Sequence, residues 1–140
     1  MKKQAGFTMI EIMIAVAIIG FLSVTVGTKI SGYLDRAKVT QAKTMLTGLK
    51  EAIMDYTMQI GHPPTKKEGG LNALVEKPRD AAAAAKWKEP FLTGDLPNDP
   101  WGNEFEYNNP PTIHKKYKRF EVFSRGKTGD EEDSELAAGE

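Results

Sequence analysis

Between Ile12 and Thr28 the chain carries no charged side chain, and from Phe7 to Thr28 the one charge is that of Glu11. That run matches the roughly 20 residues an α-helix needs to cross a bilayer. It does not end in a turn. From Ile30 onward apolar residues recur at Tyr33, Leu34, Ala37, Ala42, Met45, Leu46, Leu49, Ile53, Tyr56 and Ile60. Steps of three and four define one amphipathic helix face. Lys38, Gln41, Lys43, Lys50 and Asp55 lie between them. Gly61 followed by Pro63-Pro64 is a stop signal. The spacing predicts one helix from Phe7 to Ile60, about 80 Å long at 1.5 Å per residue. Its first half suits lipid or a helical bundle, and its second half suits packing against a globular head.

Glu11 is the anomaly in this pattern. An acidic side chain at the centre of a spanning helix costs about 2.5–3.5 kcal/mol, and less near the end. Ionisable groups at membrane depth are functional candidates with a partner to be found. Lys2 and Lys3 precede the run and favour a cytoplasmic amino end, although Lys29, Arg36 and Lys38 flank the far side. A cleaved secretory signal is one alternative, but Thr25-Val26-Gly27-Thr28-Lys29 makes a poor small-x-small site. An uncleaved anchor with no further role is another.

The hexamer Gly6-Phe7-Thr8-Met9-Ile10-Glu11 sits at the boundary between charged and apolar sequence. It resembles the signal of type IV prepilins and of type II secretion pseudopilins. The resemblance implies cleavage between Gly6 and Phe7 by a prepilin peptidase and N-methylation of Phe7. It also implies an assembly role for Glu11, whose carboxylate would face the freed α-amino group of a neighbouring subunit's Phe7. On this basis residues 1–6 are a leader and residues 7–28 a transmembrane and filament-core helix. Residues 29–61 are then its amphipathic continuation, and residues 62–140 a periplasmic head. Many relatives carry a proline near Thr28, where the helix loosens. Here the pair Gly27-Thr28 supplies weaker helix formers instead.

The remainder reads as one small domain. Beyond the membrane run roughly 110 residues are left, enough for a modest core. The full chain is neutral, with nineteen Lys and Arg against nineteen Asp and Glu; without residues 1–6 it has two fewer lysines and a net charge of −2. No broad positive field calls for a nucleic-acid partner. Leu71, Leu74 and Val75 suit a short helix ending near Pro78, and Asp80 to Trp87 is alanine-rich and suits a further turn or two. Asp99-Pro100 and Gly102-Asn103 are turn formers. Glu104–Tyr107 and residues 119–124 alternate as strands do. They predict two antiparallel strands joined by a loop holding Asn108 to Lys118, with a third strand as an option. Trp101 reads as a core aromatic beside the turn.

Taken in order, GFTMIE, a proline-terminated long helix, TKKEGGLNALV, LPNDPWGNEFEY and FEVFSRG resemble the major pseudopilins of type II secretion over nearly the whole chain. The absence of cysteine favours them over type IV pilins, many of which close a C-terminal loop with a disulfide. The fold this implies is α+β and type IV pilin-like: a long N-terminal helix packed on a small antiparallel sheet. The resemblance also implies calcium in the loop after the last strand. Asp130, Glu132 and Asp133 are the candidate ligands, with a carbonyl near Ser124 or Gly126. Calcium takes six to eight oxygens. Thr128 departs from the aspartate usual there, and a solvated acidic tail is the alternative.

No catalytic motif is visible. His62 and His114 are far apart, and there is no cysteine nucleophile, GxSxG or phosphate-cradling glycine loop. The implied role is that of a structural subunit at the inner membrane, polymerising into a periplasmic pseudopilus that exports folded proteins. Its implied partners are further copies of itself, minor pseudopilins, the prepilin peptidase, an inner-membrane platform protein and its ATPase. A pilin of a surface type IV pilus and a membrane-tethered periplasmic binding domain that never polymerises are the competing readings.

Overall fold

A computed structural model of the chain describes residues 6–88, 90–129 and 134–140, with the side chains of residues 25–29 outside that description. Helix α1 runs Met9–Ile60, close to the span the periodicity predicts, and it is continuous through Gly27-Thr28. It ends where Gly61 takes φ +109° and donates its N–H to the Thr57 carbonyl at 2.8 Å. A side chain is disfavoured in that conformation, so glycine is the natural terminator. Pro63 and Pro64 then prevent any continuation.

The chain divides into two compact units, Met1–Ala37 and Lys38–Glu140. In the first, the described apolar side chains of α1 are all solvent-facing, among them Ile12, Ile19, Phe21 and Leu22. Among the described residues no helix is long and apolar enough to cross a membrane. The described side chains reach from Met9 to Val24, short of the roughly 20 residues a span needs, and residues 25–29 follow outside that set. Ile30, Tyr33 and Leu34 are also exposed, Tyr33 by 67 %. The stripe therefore begins to pack later than its periodicity implies.

In the second unit the stripe is the backbone of the core. Ala42, Leu46, Leu49, Ile53, Tyr56 and Ile60 are all buried. They pack with Ala73, Leu74, Ala83, Phe105, Phe120, Val122 and Leu136. Helix α2, Ala81–Lys86, starts at Asp80, whose carboxylate accepts the N–H groups of Ala82 and Ala83. Its last residue reaches back: Lys86 Nζ donates to the Ile60 carbonyl at 3.1 Å, a cation at the negative end of α1. Phe91 lies edge-on to Tyr56 at 5.3 Å between centroids.

The short helix expected over Leu71–Val75 is two 3-10 segments, Lys66–Glu68 and Gly70–Leu74. Gly69 and Gly70 separate them with φ of +106° and +59°, and such left-handed residues break an α-helix. Thr65 and Glu68 form a capping box at the first segment.

The sheet has three antiparallel strands in the order β1 (Glu106–Asn108), β2 (Glu121–Phe123), β3 (Ala137–Gly139). Tyr107 faces Val122, and Val122 faces Ala138. Asn108 thus belongs to β1 rather than to the loop, while Glu104 makes only an isolated bridge with Asn98. The expected alternation fails on β2, where all three residues are buried, Glu121 included. The third strand comes from the chain's last residues. A Cβ on Gly139 would lie 2.3 Å from the Phe120 carbonyl oxygen and 2.7 Å from the Tyr117 ring. Backbone cannot yield there, so Gly139→Ala is expected to destabilise the head by about 1–3 kcal/mol. Thermal melting checks this, with the midpoint falling by several degrees.

Candidate functional site

Two places answer to the sequence candidates, the amino end of α1 and the loop after β2. At the first, Gly6, Phe7 and Thr8 are non-helical and exposed, so the Gly6-Phe7 bond lies just outside the helix. Exposed, irregular backbone is where proteolytic cleavage concentrates, and this bond lies in such backbone. Phe7 is 84 % exposed.

Glu11 occupies the third helical position. Its Oε2 accepts the Thr8 N–H at 2.8 Å and the Thr8 hydroxyl at 2.8 Å. The Thr8 hydroxyl in turn accepts the Glu11 N–H at 3.3 Å. This is a capping box, and its sequence signature, Thr-x-x-Glu, was present to be read. The carboxylate is therefore engaged within its own chain as well as being the candidate for a contact between chains. Thr8 is the residue that motif-level reading overlooks.

At the second place the acids Asp130, Glu132 and Asp133 lie outside the described residues. Ser124 is described and is buried. Its hydroxyl donates to Asp99 Oδ2 at 2.5 Å and accepts the Gly126 N–H at 3.0 Å. That hydroxyl is committed to the fold, and it is the backbone carbonyl near Ser124 or Gly126 that the calcium expectation concerns. Among the described residues no group of three His, Cys, Asp or Glu side chains could hold a metal ion.

Asp99 organises this region. Its Oδ1 accepts the N–H of Trp101 at 3.0 Å and of Asn103 at 2.8 Å, and Gly102 closes a turn on the Asp99 carbonyl at 2.9 Å. Trp101 packs at the edge of the core, as expected of an aromatic beside a turn. Asn103 Nδ2 reaches the Gly126 carbonyl at 3.4 Å. The segment Asp99–Asn103 thus fixes where the chain leaves β2. The two histidines are used locally: His114 Nδ1 lies 3.0 Å from buried Glu121 and His62 Nε2 lies 3.5 Å from Glu68.

Comparison with known proteins bears on both places. The family model described as "Type II secretion system (T2SS), protein G" matches residues 29–139. The chain belongs to the type II secretion protein G family. A second model, "Prokaryotic N-terminal methylation motif", matches residues 1–27, which contain Gly6, Phe7 and Glu11. A type II secretion system core protein G of Pseudomonas aeruginosa is 36% identical over 131 residues, covering 93% of this chain and 88% of that protein. One from Escherichia coli is 34% identical over 131 residues, covering 94% and 89%. The crystal structure of the major pseudopilin from the type 2 secretion system of enterohaemorrhagic Escherichia coli is similar, with a TM-score of 0.60 and 28% identity. It covers 77% of this chain and 90% of that one. The protein G family thus spans the α+β head and the methylation motif spans the processing hexamer, and together they cover nearly the whole chain.

Proposed function

We propose that this protein G family member is the main repeating subunit of a periplasmic pseudopilus, a structural rather than catalytic component of type II secretion. The carrying observation is the exposed Gly6-Phe7 bond placed two residues before a capped 52-residue helix. Cleavage there leaves Phe7 as a new amino terminus beside Glu11. The apolar helix stays on the protein, first in the inner membrane with the head in the periplasm and then in a bundle of like helices. A heterologous contact whose rotation does not close extends as a filament. Further copies, minor pseudopilins, a platform protein and its ATPase are the partners this role requires.

Intact mass of the protein from its native membrane tests the reading. The expected chain begins at a methylated Phe7. A chain beginning near Lys29 means an ordinary secretory signal and removes the filament model.

For calcium, the ligands of this reading are Asp130, Glu132 and Asp133 with a backbone carbonyl near Ser124 or Gly126, while the Ser124 hydroxyl is engaged with Asp99 and Gly126. Bound calcium would cross-link an acidic segment to the fixed end of β2. Millimolar calcium is expected to raise the thermal midpoint of the protein, and a chelator to lower it again, because a ligand that binds only the folded state stabilises it. An unchanged midpoint leaves the segment as a solvated acidic run.

A further inference from the structure

On the side of the head formed by the two 3-10 segments lies a cleft of about 210 Å³. Lys66 and Lys67 line it from the first segment, and Lys77 and Arg79 from the connection that follows the second. Asn72 and the side-chain-free Gly69 complete the wall. The two lysine- and arginine-bearing strips are held firmly. Gly70 N–H bonds the Thr65 carbonyl at 2.9 Å, Glu76 N–H bonds the Asn72 carbonyl at 2.8 Å, and Pro78 between the second pair of cations is buried.

Two carboxylates also line the cleft, and neither forms an ion pair with these cations. Glu68 is 5 % exposed and turned away, with one oxygen on the Thr65 N–H and hydroxyl at 2.7 and 2.9 Å and the other toward His62. Glu76 is exposed at the rim. Among the described residues none of Lys66, Lys67, Lys77 and Arg79 takes part in an ion pair. Four like charges around one small cleft repel one another, and an anion between them relieves that repulsion.

We propose that this cleft binds a phosphate monoester, free or as a lipid headgroup. Four cations against two carboxylates leave two positive charges, and a phosphate monoester carries about −1.5 to −2 at neutral pH. A single carboxylate matches only half of that. The donors are also of the right kind: three ammonium groups, a planar guanidinium suited to two phosphate oxygens and the Asn72 amide exceed what two carboxylate oxygens accept. The site is independent of the filament reading.

The test is a titration of the full chain in zwitterionic detergent with inorganic phosphate at constant ionic strength, read at the backbone amides of Gly69, Gly70 and Asn72. The expected result is a saturable shift at these amides. Lys67→Gln combined with Arg79→Gln is expected to weaken binding about tenfold or more, as loss of two charge-assisted contacts requires. Lys115→Gln combined with Lys116→Gln, the same charge change on another loop that does not line the cleft, is expected to leave it within about twofold, since salt screens exposed charges that make no direct contact. No saturable shift, or equal weakening by both pairs, overturns the proposal. A second arm uses the full chain in phosphatidylcholine nanodiscs with and without phosphatidic acid. Shifts at the same amides with phosphatidic acid assign the source to a lipid headgroup. Response to inorganic phosphate alone assigns it to a soluble phosphate.

Discussion

Glu121→Ala is expected to cost the head about 3–5 kcal/mol, the penalty of breaking a buried, hydrogen-bonded charge site, out of a total that for small domains is about 5–15 kcal/mol. Glu121 is fully buried on the central strand. Its Oε1 accepts the Asn108 side-chain amide at 2.8 Å and the backbone N–H groups of Thr112 and Ile113 at 2.8 and 2.9 Å. Its Oε2 accepts the His114 N–H at 2.7 Å and faces His114 Nδ1 at 3.0 Å. One carboxylate therefore satisfies three successive backbone N–H groups, Thr112 to His114, together with the Asn108 amide. Removing it leaves the buried His114 N–H without its partner, at about 1–3 kcal/mol, and costs the half-buried Asn108 and Ile113 donors theirs as well. Urea titration of the variant is expected to show a large fall in midpoint, and an unchanged midpoint would refute the assignment.

The same site sets a pH dependence. Burial pushes the Glu121 carboxyl up, but the N–H groups of Ile113 and Thr112, the Asn108 amide and the His114 N–H together outweigh it and hold it at about 2, against an ordinary 4.5. A carboxyl whose folded value is depressed stabilises the fold above its unfolded value and loses that stabilisation as pH falls. The contribution of Glu121 is thus complete above about pH 4.5 and disappears between there and about pH 2. Glu121→Gln keeps the shape but presents an amide nitrogen to donors, so it is destabilised at neutral pH. The difference in stability between the parent and Glu121→Gln should shrink as pH drops through that window. A difference that stays constant from pH 6 to pH 2 would place the effect elsewhere.

Much of this architecture was legible in the residues, and the failures share a physical cause. The helix end at Ile60 and the Asp99–Gly102 turn are local, set by glycine φ, proline and short side-chain acceptors, so one sequence sufficed. The late start of packing at Ala42 was not legible, because Tyr33 and Leu34 keep the same periodicity whether or not a head is beside them. The burial of Glu121 was not legible for a related reason. Alternation assigns a strand's polar residues to solvent, and only the tertiary structure brings the N–H groups of 112–114 onto its buried side. The strand Ala137–Gly139 has no β-branched or aromatic residue, and its evidence is steric: glycine at 139 is what Phe120 and Tyr117 leave room for. At the amino end, the hexamer pointed to Gly6, Phe7 and Glu11 but not to Thr8, although Thr-x-x-Glu is a capping signal in its own right.

That capping role sharpens what the Glu11 carboxylate must do in assembly, and it fixes the choice of substitution. Glu11→Ala removes the charge and the carboxylate half of the capping box, while the Thr8 hydroxyl can still accept the backbone N–H of residue 11. That loss frays one turn at most, which a helix of 52 residues tolerates. Glu11→Ala is therefore expected to insert into the membrane and be processed normally while forming no filaments, if the charge is what docks a neighbour's Phe7 ammonium. Glu11→Gln separates the two functions. Glutamine at this position still supports a capping box, yet it offers no counter-charge in a water-poor bundle, where such a pair is strongest. Quantified filaments and membrane-pool subunits should show Glu11→Gln failing as completely as Glu11→Ala. Filaments from Glu11→Gln at parental levels would mean that capping, with Thr8, is the essential contribution, and that no ion pair fixes the register between subunits.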